Sequence, residues 1–251
     1  MRKWILAGIV IVIIMLPGIS QAAPVLPGIP GINFGIETSD SPQDVSTTLQ
    51  ILLLLTVLSL APSILVLMTS FTRIVVVLSF TRNALATNQM PPNQVIIALA
   101  LFMTFFVMQP VFAEVNDTAL QPYLAGELGQ TEAFEEAVKP FKMYMSKHTR
   151  QKDLSLFLSY ANLDPPSSVD DIPLQALVPA YAISELKTAF QIGFMIFIPF
   201  LVLDMIVASV LMSMGMMMLP PVMISLPFKI LLFVLVDGWH LIVRSLLVSF
   251  N

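Results

Sequence analysis

The sequence predicts an all-α, polytopic membrane protein, with apolar helical hairpins on either side of a polar helical domain lying outside the cytoplasm. Three observations carry this expectation. Of 251 residues, 57% are hydrophobic and 11% charged, against about 25% charged in soluble domains, and mean hydropathy is +0.86. The apolar residues gather in uncharged stretches close to the roughly 20 residues that a spanning helix needs. Most acids and bases fall instead between residues 114 and 187.

Residues 1–22 read as a signal peptide. Arg2-Lys3 is a basic n-region, residues 4–16 an apolar core, and Pro17-Gly18 a helix break, with Ser20 and Ala22 as the small residues of a cleavage site. The apolar core is short for a spanning anchor, so cleavage is expected between Ala22 and Ala23, as in a bacterial inner (cell) membrane protein. Residues 23–48, rich in Pro, Gly, Ser and Asp, read as a loose extracytoplasmic arm.

Residues 49–113 form the first hydrophobic hairpin. It comprises an uncharged span over 49–68, a loop carrying Arg73 and Arg82, and a second span over 95–113. Residues 114–187 are the polar domain. Phe134, Val138, Phe141, Met145 and His148 recur there at helical spacing, so an amphipathic helix is expected, bent or begun at Pro140. A further helix over 153–163 stops before Pro165-Pro166. Residues 188–251 form the second hairpin around Pro220-Pro221.

Lys and Arg favour the cytoplasmic side. The Arg73/Arg82 loop therefore belongs inside and the acidic 114–187 domain outside, which puts the Pro220-Pro221 turn inside and both termini outside. Signal cleavage gives the same orientation independently. Residues 190–219 would run about 45 Å as one helix, beyond a hydrocarbon core of about 30 Å. That segment must tilt, break at Pro199 or lie partly against protein.

Five charged residues or histidines interrupt residues 190–250: Asp204, Lys229, Asp237, His240 and Arg244. A charge at bilayer depth costs about 2.5–3.5 kcal/mol on insertion scales, so they require a polar interior, a partner or a water path. Counted from Pro220-Pro221, Asp204 and Asp237 share a depth of roughly 24 Å, with Lys229 offset from Asp204 by about 12 Å. An Asp204–Lys229 pair is then easier with a neighbouring subunit, or after a break at Pro227, than inside a straight hairpin. Three readings stand: polar groups that lock helices together, a coupling or proton-sensing role, and an aspartyl intramembrane protease. The context Leu235-Val236-Asp237-Gly238 lacks the Gly-x-Gly-Asp pattern that the protease reading wants.

Met216, Met217 and Met218 cannot share one helix face, since successive residues lie about 100° apart. Beside Gly215 and Pro220-Pro221 they read as a loop or helix end, and soft thioether side chains suit a deformable closure. The ordinary reading of methionine on apolar helices is filler, which fits Met195, Met205 and Met212. Glu185 and Lys187 read as surface groups that snorkel, and His148 and His240 as ordinary partly buried histidines. The chain has no cysteine, so disulfides, thiolate metal sites and cysteine nucleophiles are excluded. No dense basic block points to nucleic acid. No nucleotide loop, cofactor-binding pattern or nucleophile elbow is present, so no cofactor and no enzymatic activity are expected.

Several longer motifs are more specific. Pro179-Ala180-Tyr181-Ala182-Ile183-Ser184-Glu185-Leu186-Lys187-Thr188-Ala189-Phe190-Gln191-Ile192-Gly193-Phe194 resembles a signature of the FliP family of flagellar biosynthetic proteins. So do Pro199-Phe200-Leu201-Val202-Leu203-Asp204, Gly215-Met216-Met217-Met218-Leu219-Pro220-Pro221, Leu226-Pro227-Phe228-Lys229 and Leu235-Val236-Asp237-Gly238-Trp239. Met68-Thr69-Ser70-Phe71-Thr72-Arg73, Arg82-Asn83-Ala84-Leu85 and Pro91-Pro92-Asn93-Gln94 match the family's first half. Virulence-type (injectisome) homologues share these motifs; the signal peptide and arm look more like the flagellar branch.

The resemblance implies a pore-forming core subunit of the flagellar type III export gate, passing unfolded flagellar substrates. It implies a homo-pentamer with FliQ and FliR, assembled with other export proteins into a helical cone raised above the membrane lipid. It also implies a channel gasket at Met216, Met217 and Met218. Asp204, Lys229, Asp237, Glu185 and Lys187 then read as inter-subunit or intramembrane polar contacts. A proton-coupled transporter is the more remote alternative.

Overall fold

The computed structural model describes residues 42–87, 89–216 and 218–250, and every regular element among them is helical. The expected signal peptide, the cleavage site at Ala22 and Ala23 and the arm up to residue 41 lie outside the described residues. Two compact units divide at Leu54 and Leu55. In the first, the described residues are the opening turns of α1 (Pro42–Met68). This helix starts earlier than the expected span at 49, because proline fits the first helical position, where an N–H has no partner anyway. The rest of α1 and every later element belong to the second unit.

The end of α1 meets α2 (Phe71–Ala84) at 80°. Threonines make that corner possible: Thr69 Oγ1 donates to the Leu65 carbonyl and Thr72 Oγ1 to that of Val66. Both carbonyls lie in the last turn of α1, where intrahelical donors run out. Tyr181 Oη donates to the Thr69 carbonyl at 2.9 Å, fixing the corner to α7 (Leu174–Ser213).

The loop expected around Arg73 and Arg82 is therefore a helix at the centre of the core. Ile74, Val77, Leu78 and Thr81 are buried on one face of α2, at the i, i+3, i+4, i+7 spacing of a helix that faces a core. Arg73 meets Glu185, and Phe80 meets Gly193; the near-constant offset means that α2 runs parallel to the first half of α7. Close approach fixes this contact, since a Cβ on Gly193 would lie 2.6 Å from Phe80 Cγ. Arg82 sits at the far end of α2, where Nη1 donates to the Pro91 carbonyl and to Asn93 Oδ1 beside the start of α3 (Asn93–Val115). The two arginines thus mark opposite ends of one helix, and only Arg82 can belong to a loop on the side opposite the polar domain.

A π-helical turn (Asn116–Leu120) and the short α4 (Gln121–Leu124) carry α3 into the polar region. There α5 (Gln130–His148) and α6 (Gln151–Tyr160) pack on the opening turns of α7. Their shared core gathers Met145, Ile172, Leu177 and Tyr181, with Phe141 and Tyr144 against it. Pro140 lies inside α5 without ending it. Phe134, at the other end of the expected apolar face, is 68% exposed.

α7 runs unbroken for 40 residues through Pro179 and Pro199. That is about 60 Å of helix, twice a hydrocarbon core of about 30 Å. The boundary expected at 187/188 falls inside it, so polar domain and second hairpin share one rod. After Ser213 the chain reverses into α8 (Pro221–Leu235), which bends by 63° into α9 (Gly238–Val248). Much apolar surface stays uncovered, including Phe102 and Phe106 on α3, Phe194 and Met195 on α7, and Leu235 on α8. Of the most apolar 18-residue stretch of α7, 11% is buried. Surface of that kind marks contact with lipid or with other chains.

Candidate functional site

Asp204 and Lys229 pair within the one chain, Lys229 Nζ to Asp204 Oδ2 at 2.7 Å. Ser225 Oγ, one turn before Lys229, donates to the other carboxylate oxygen. The expected offset disappears because the reversal is not a tight turn at Pro220-Pro221. α7 stops at Ser213 and α8 starts at Pro221, so Asp204 and Lys229 stand nearly equal distances from their helix ends. Lys229 is 2% exposed and Asp204 25%.

The same geometry separates Asp204 from Asp237. Asp237 lies two turns beyond Lys229, about 12 Å further along the chain's rise. It is exposed in the left-handed region at φ 51°. Its backbone carbonyl accepts from Leu241 N as α9 begins. Aspartate tolerates this conformation better than most residues, and Gly238 follows because a Cβ there would meet the Phe233 ring at 2.3 Å. Asp237 thus sits at the bend between α8 and α9, and the two carboxylates do not form the pair that a protease needs.

A second ion pair lies where α2, α7 and the segment after α9 converge. Glu185 is fully buried and Arg73 3% exposed, so Glu185 is not the snorkelling surface group expected. Arg73 Nε donates to Glu185 Oε2 at 2.8 Å, and Nη2 to Oε1. Nη1 turns the other way, to the Ser249 carbonyl at 2.7 Å and Ser249 Oγ at 3.1 Å. The guanidinium lies 4.1 Å from the centre of the Phe250 ring. Beyond that ring stands His148, and beyond His148 stands Tyr144. Burial pushes His148 down to about 4, reinforced by Arg73 and Lys147. Burial, with Glu185 next in weight, pushes the Tyr144 phenol up to about 12.

Sequence reasoning missed a third polar seam. Ser184 Oγ accepts from the Arg150 backbone N–H at 3.0 Å and donates to Asp153 Oδ2 at 2.7 Å. Arg150 Nη2 reaches Gln191 Oε1 at 2.7 Å. The α5–α6 junction is thereby fastened to α7. The signal was present in Ser184 and Gln191, polar residues two turns apart on one face of an apolar helix. Lys187, between them in sequence, is exposed and has no ion pair among the described residues.

At the opposite end of α7 the chain stops in a Schellman arrangement. Gly215 has φ 77°; its N–H donates to Met212 O at 3.0 Å, and that of Met216 to Leu211 O at 3.0 Å. A residue without Cβ suits that left-handed position. The loop leaves Met214, Met216 and Met218 exposed, Met218 to 99%; Met217 lies outside the described residues. Among the described residues no three His, Cys, Asp or Glu side chains gather as a metal site. The polar groups here hold helices together.

The FliP family model matches residues 54–246, a range that takes in both ion pairs, the third seam and the methionine loop. The chain is 68% identical over 215 residues to the flagellar biosynthetic protein FliP of Bacillus subtilis (strain 168), covering 86% of this chain and 97% of that one. It is 53% identical over 207 residues to the FliP of Aquifex aeolicus (strain VF5), covering 81% and 86%. With the FliP of Borreliella burgdorferi identity is 46% over 225 residues, covering 88% and 89%. A family match across most of the chain, joined to identity of this extent, means that the chain belongs to the FliP family.

Proposed function

We propose that this protein is a pore-forming core subunit of the flagellar type III export gate, passing unfolded flagellar substrates across the bacterial inner membrane. Membership of the family makes it a component of flagellum biogenesis and protein export. Its role is that of an assembly and conduction element, with no enzymatic step. The relatives are flagellar proteins, which favours the flagellar branch over the injectisome.

The observation that carries the reading is the methionine loop, where a 40-residue helix ends in exposed Met216 and Met218. In a ring of five copies, joined by FliQ and FliR, these side chains meet around an axis and form a gasket with Met217. Thioethers are flexible and polarizable, so such a ring can close against ions and yield to a passing chain. The uncovered faces of α3, α7 and α8 become contacts between subunits or with lipid. A rod of twice the bilayer core is better suited to a helical cone raised above the membrane plane than to a simple span. Lys187 and Asp237, both exposed and without an ion pair among the described residues, are polar groups available for inter-subunit contacts. The polar domain lies outside the cytoplasm, with Arg82 and the methionine loop toward the inside.

The test replaces Met216 and Met218 together by Ala in the full chain. The expected result is ion leakage through the resting membrane, with subunit abundance retained. Unchanged leakage and unchanged export would remove the gasket.

A further inference from the structure

We propose that His148 is an acid-sensitive latch, holding the segment after α9 on the polar helices while neutral and releasing it when the imidazole gains a proton. Phe250 is 6% exposed, with the Arg73 guanidinium 4.1 Å from its ring centre. The His148 ring stands 5.8 Å from Phe250 at 75°, and Tyr144 stands 4.8 Å from His148. The residue before Phe250 accepts from Arg73 through both its carbonyl and its hydroxyl. The segment is therefore held by Arg73, by the place of Phe250 in the apolar core and by an aromatic stack to which His148 belongs.

Among the described residues, the groups near His148 leave a second cation without a partner. From α2 comes Arg73, already positive. Tyr181 and Glu185 of α7 face Tyr144, the next ring of the stack, and the carboxylate of Glu185 is fully buried with both oxygens taken by Arg73. From α5 itself come Tyr144 and Lys147. The ionisable residues of α9, His240 and Arg244, line a groove with Val243, Leu247 and Val248 instead. The C-terminal end of α5 favours a cation, but burial and the two neighbouring positive charges oppose it and bring His148 down to about 4.

The direction of the switch follows by linkage. Burial, Arg73 and Lys147 hold the latched imidazole down to about 4, and release lifts the share of that burial due to Phe250, moving it toward the ordinary 6.5. The released form binds more protons in between, so the latch is at full strength above pH 6.5 and weakens as pH falls toward 4. Once His148 is charged, it stands partly buried beside Arg73 and Lys147, and the Ser249 contacts and the core packing of Phe250 oppose release.

The chain has no cysteine, so a single introduced thiol reports cleanly. Ser249→Cys would be labelled with a maleimide in the full chain in isolated membranes, its rate divided by that of Ser167→Cys on an exposed loop. The ratio cancels the pH dependence of the thiol itself. It is expected to rise at least about tenfold as the pH drops through the window, the equivalent of one unit of linkage. With His148→Gln it stays flat, and with His148→Arg it is already high at neutral pH. A flat ratio in the chain that keeps His148, or an undiminished rise in His148→Gln, overturns the latch. If the substituted chains fail to accumulate, carbon-13 NMR of the two histidines in the unaltered full chain decides. With the signals assigned, a His148 titration well below 6.5 supports the latch, and one near 6.5 overturns it.

Discussion

Arg73 and Glu185 show how far a residue's role can depart from its type. Each alone reads as a surface charge beside an apolar segment. Together they form a buried, two-pronged pair whose remaining donors reach Ser249. Removing one partner of such a pair leaves an uncompensated buried charge, a loss of about 3–5 kcal/mol. Glu185→Ala is therefore expected to unfold at markedly lower temperature in detergent. Arg73→Met with Glu185→Leu should recover most of that loss, because apolar residues of similar volume satisfy the same space. Equal instability of the single and double variants would contradict this account of the pair. Nothing in the sequence could have joined them, since they lie 112 positions apart and composition cannot say which cation meets which acid.

Elements were legible where a local rule sufficed. Gly215 and Pro220-Pro221 announce the end of α7 and the start of α8, and the loop falls between them. The helical spacing around Met145 announces α5. α2 was legible too, in Ile74, Val77, Leu78 and Thr81, but two arginines without acids weigh toward a cytoplasmic loop when counted as charge alone. The Asp204–Lys229 pair was misplaced for a simpler reason: counting depth from Pro220-Pro221 ignores the loop that separates the two helix ends. The most extensive helix contact among the described residues, α2 against α7, closes over Gly193. A methyl group there would press on the Phe80 ring, and overpacking of this kind costs about 1–3 kcal/mol. Gly193→Ala should lower thermal stability, and Phe80→Leu in the same chain should restore part of it. No effect from Gly193→Ala would show that the helices part freely at this point.

At the scale of the larger unit, α7 is a rod of about 60 Å with polar helices fastened at one end and the methionine loop following the other. Arg73, Ser184 and Tyr181 fix the first end by buried contacts, while the Schellman stop sets where the second end finishes. Between them the apolar faces stay open, and neither lipid nor subunit is specified by hydropathy, because both reward the same side chains. That ambiguity is physical, and it explains why the described residues hold two helices able to cross a membrane by length and composition, or as many as four if each bent pair is one span. The central claim is that the methionine end touches cargo. It is tested most directly by a photo-crosslinking amino acid placed at Met218 in cells whose flagellar substrate carries a folded plug that stalls export. The account predicts an adduct with the stalled substrate at Met218 and none from Tyr160, on the polar helix α6. Adducts only with lipid or neighbouring subunits at Met218, while export stays stalled, would contradict it.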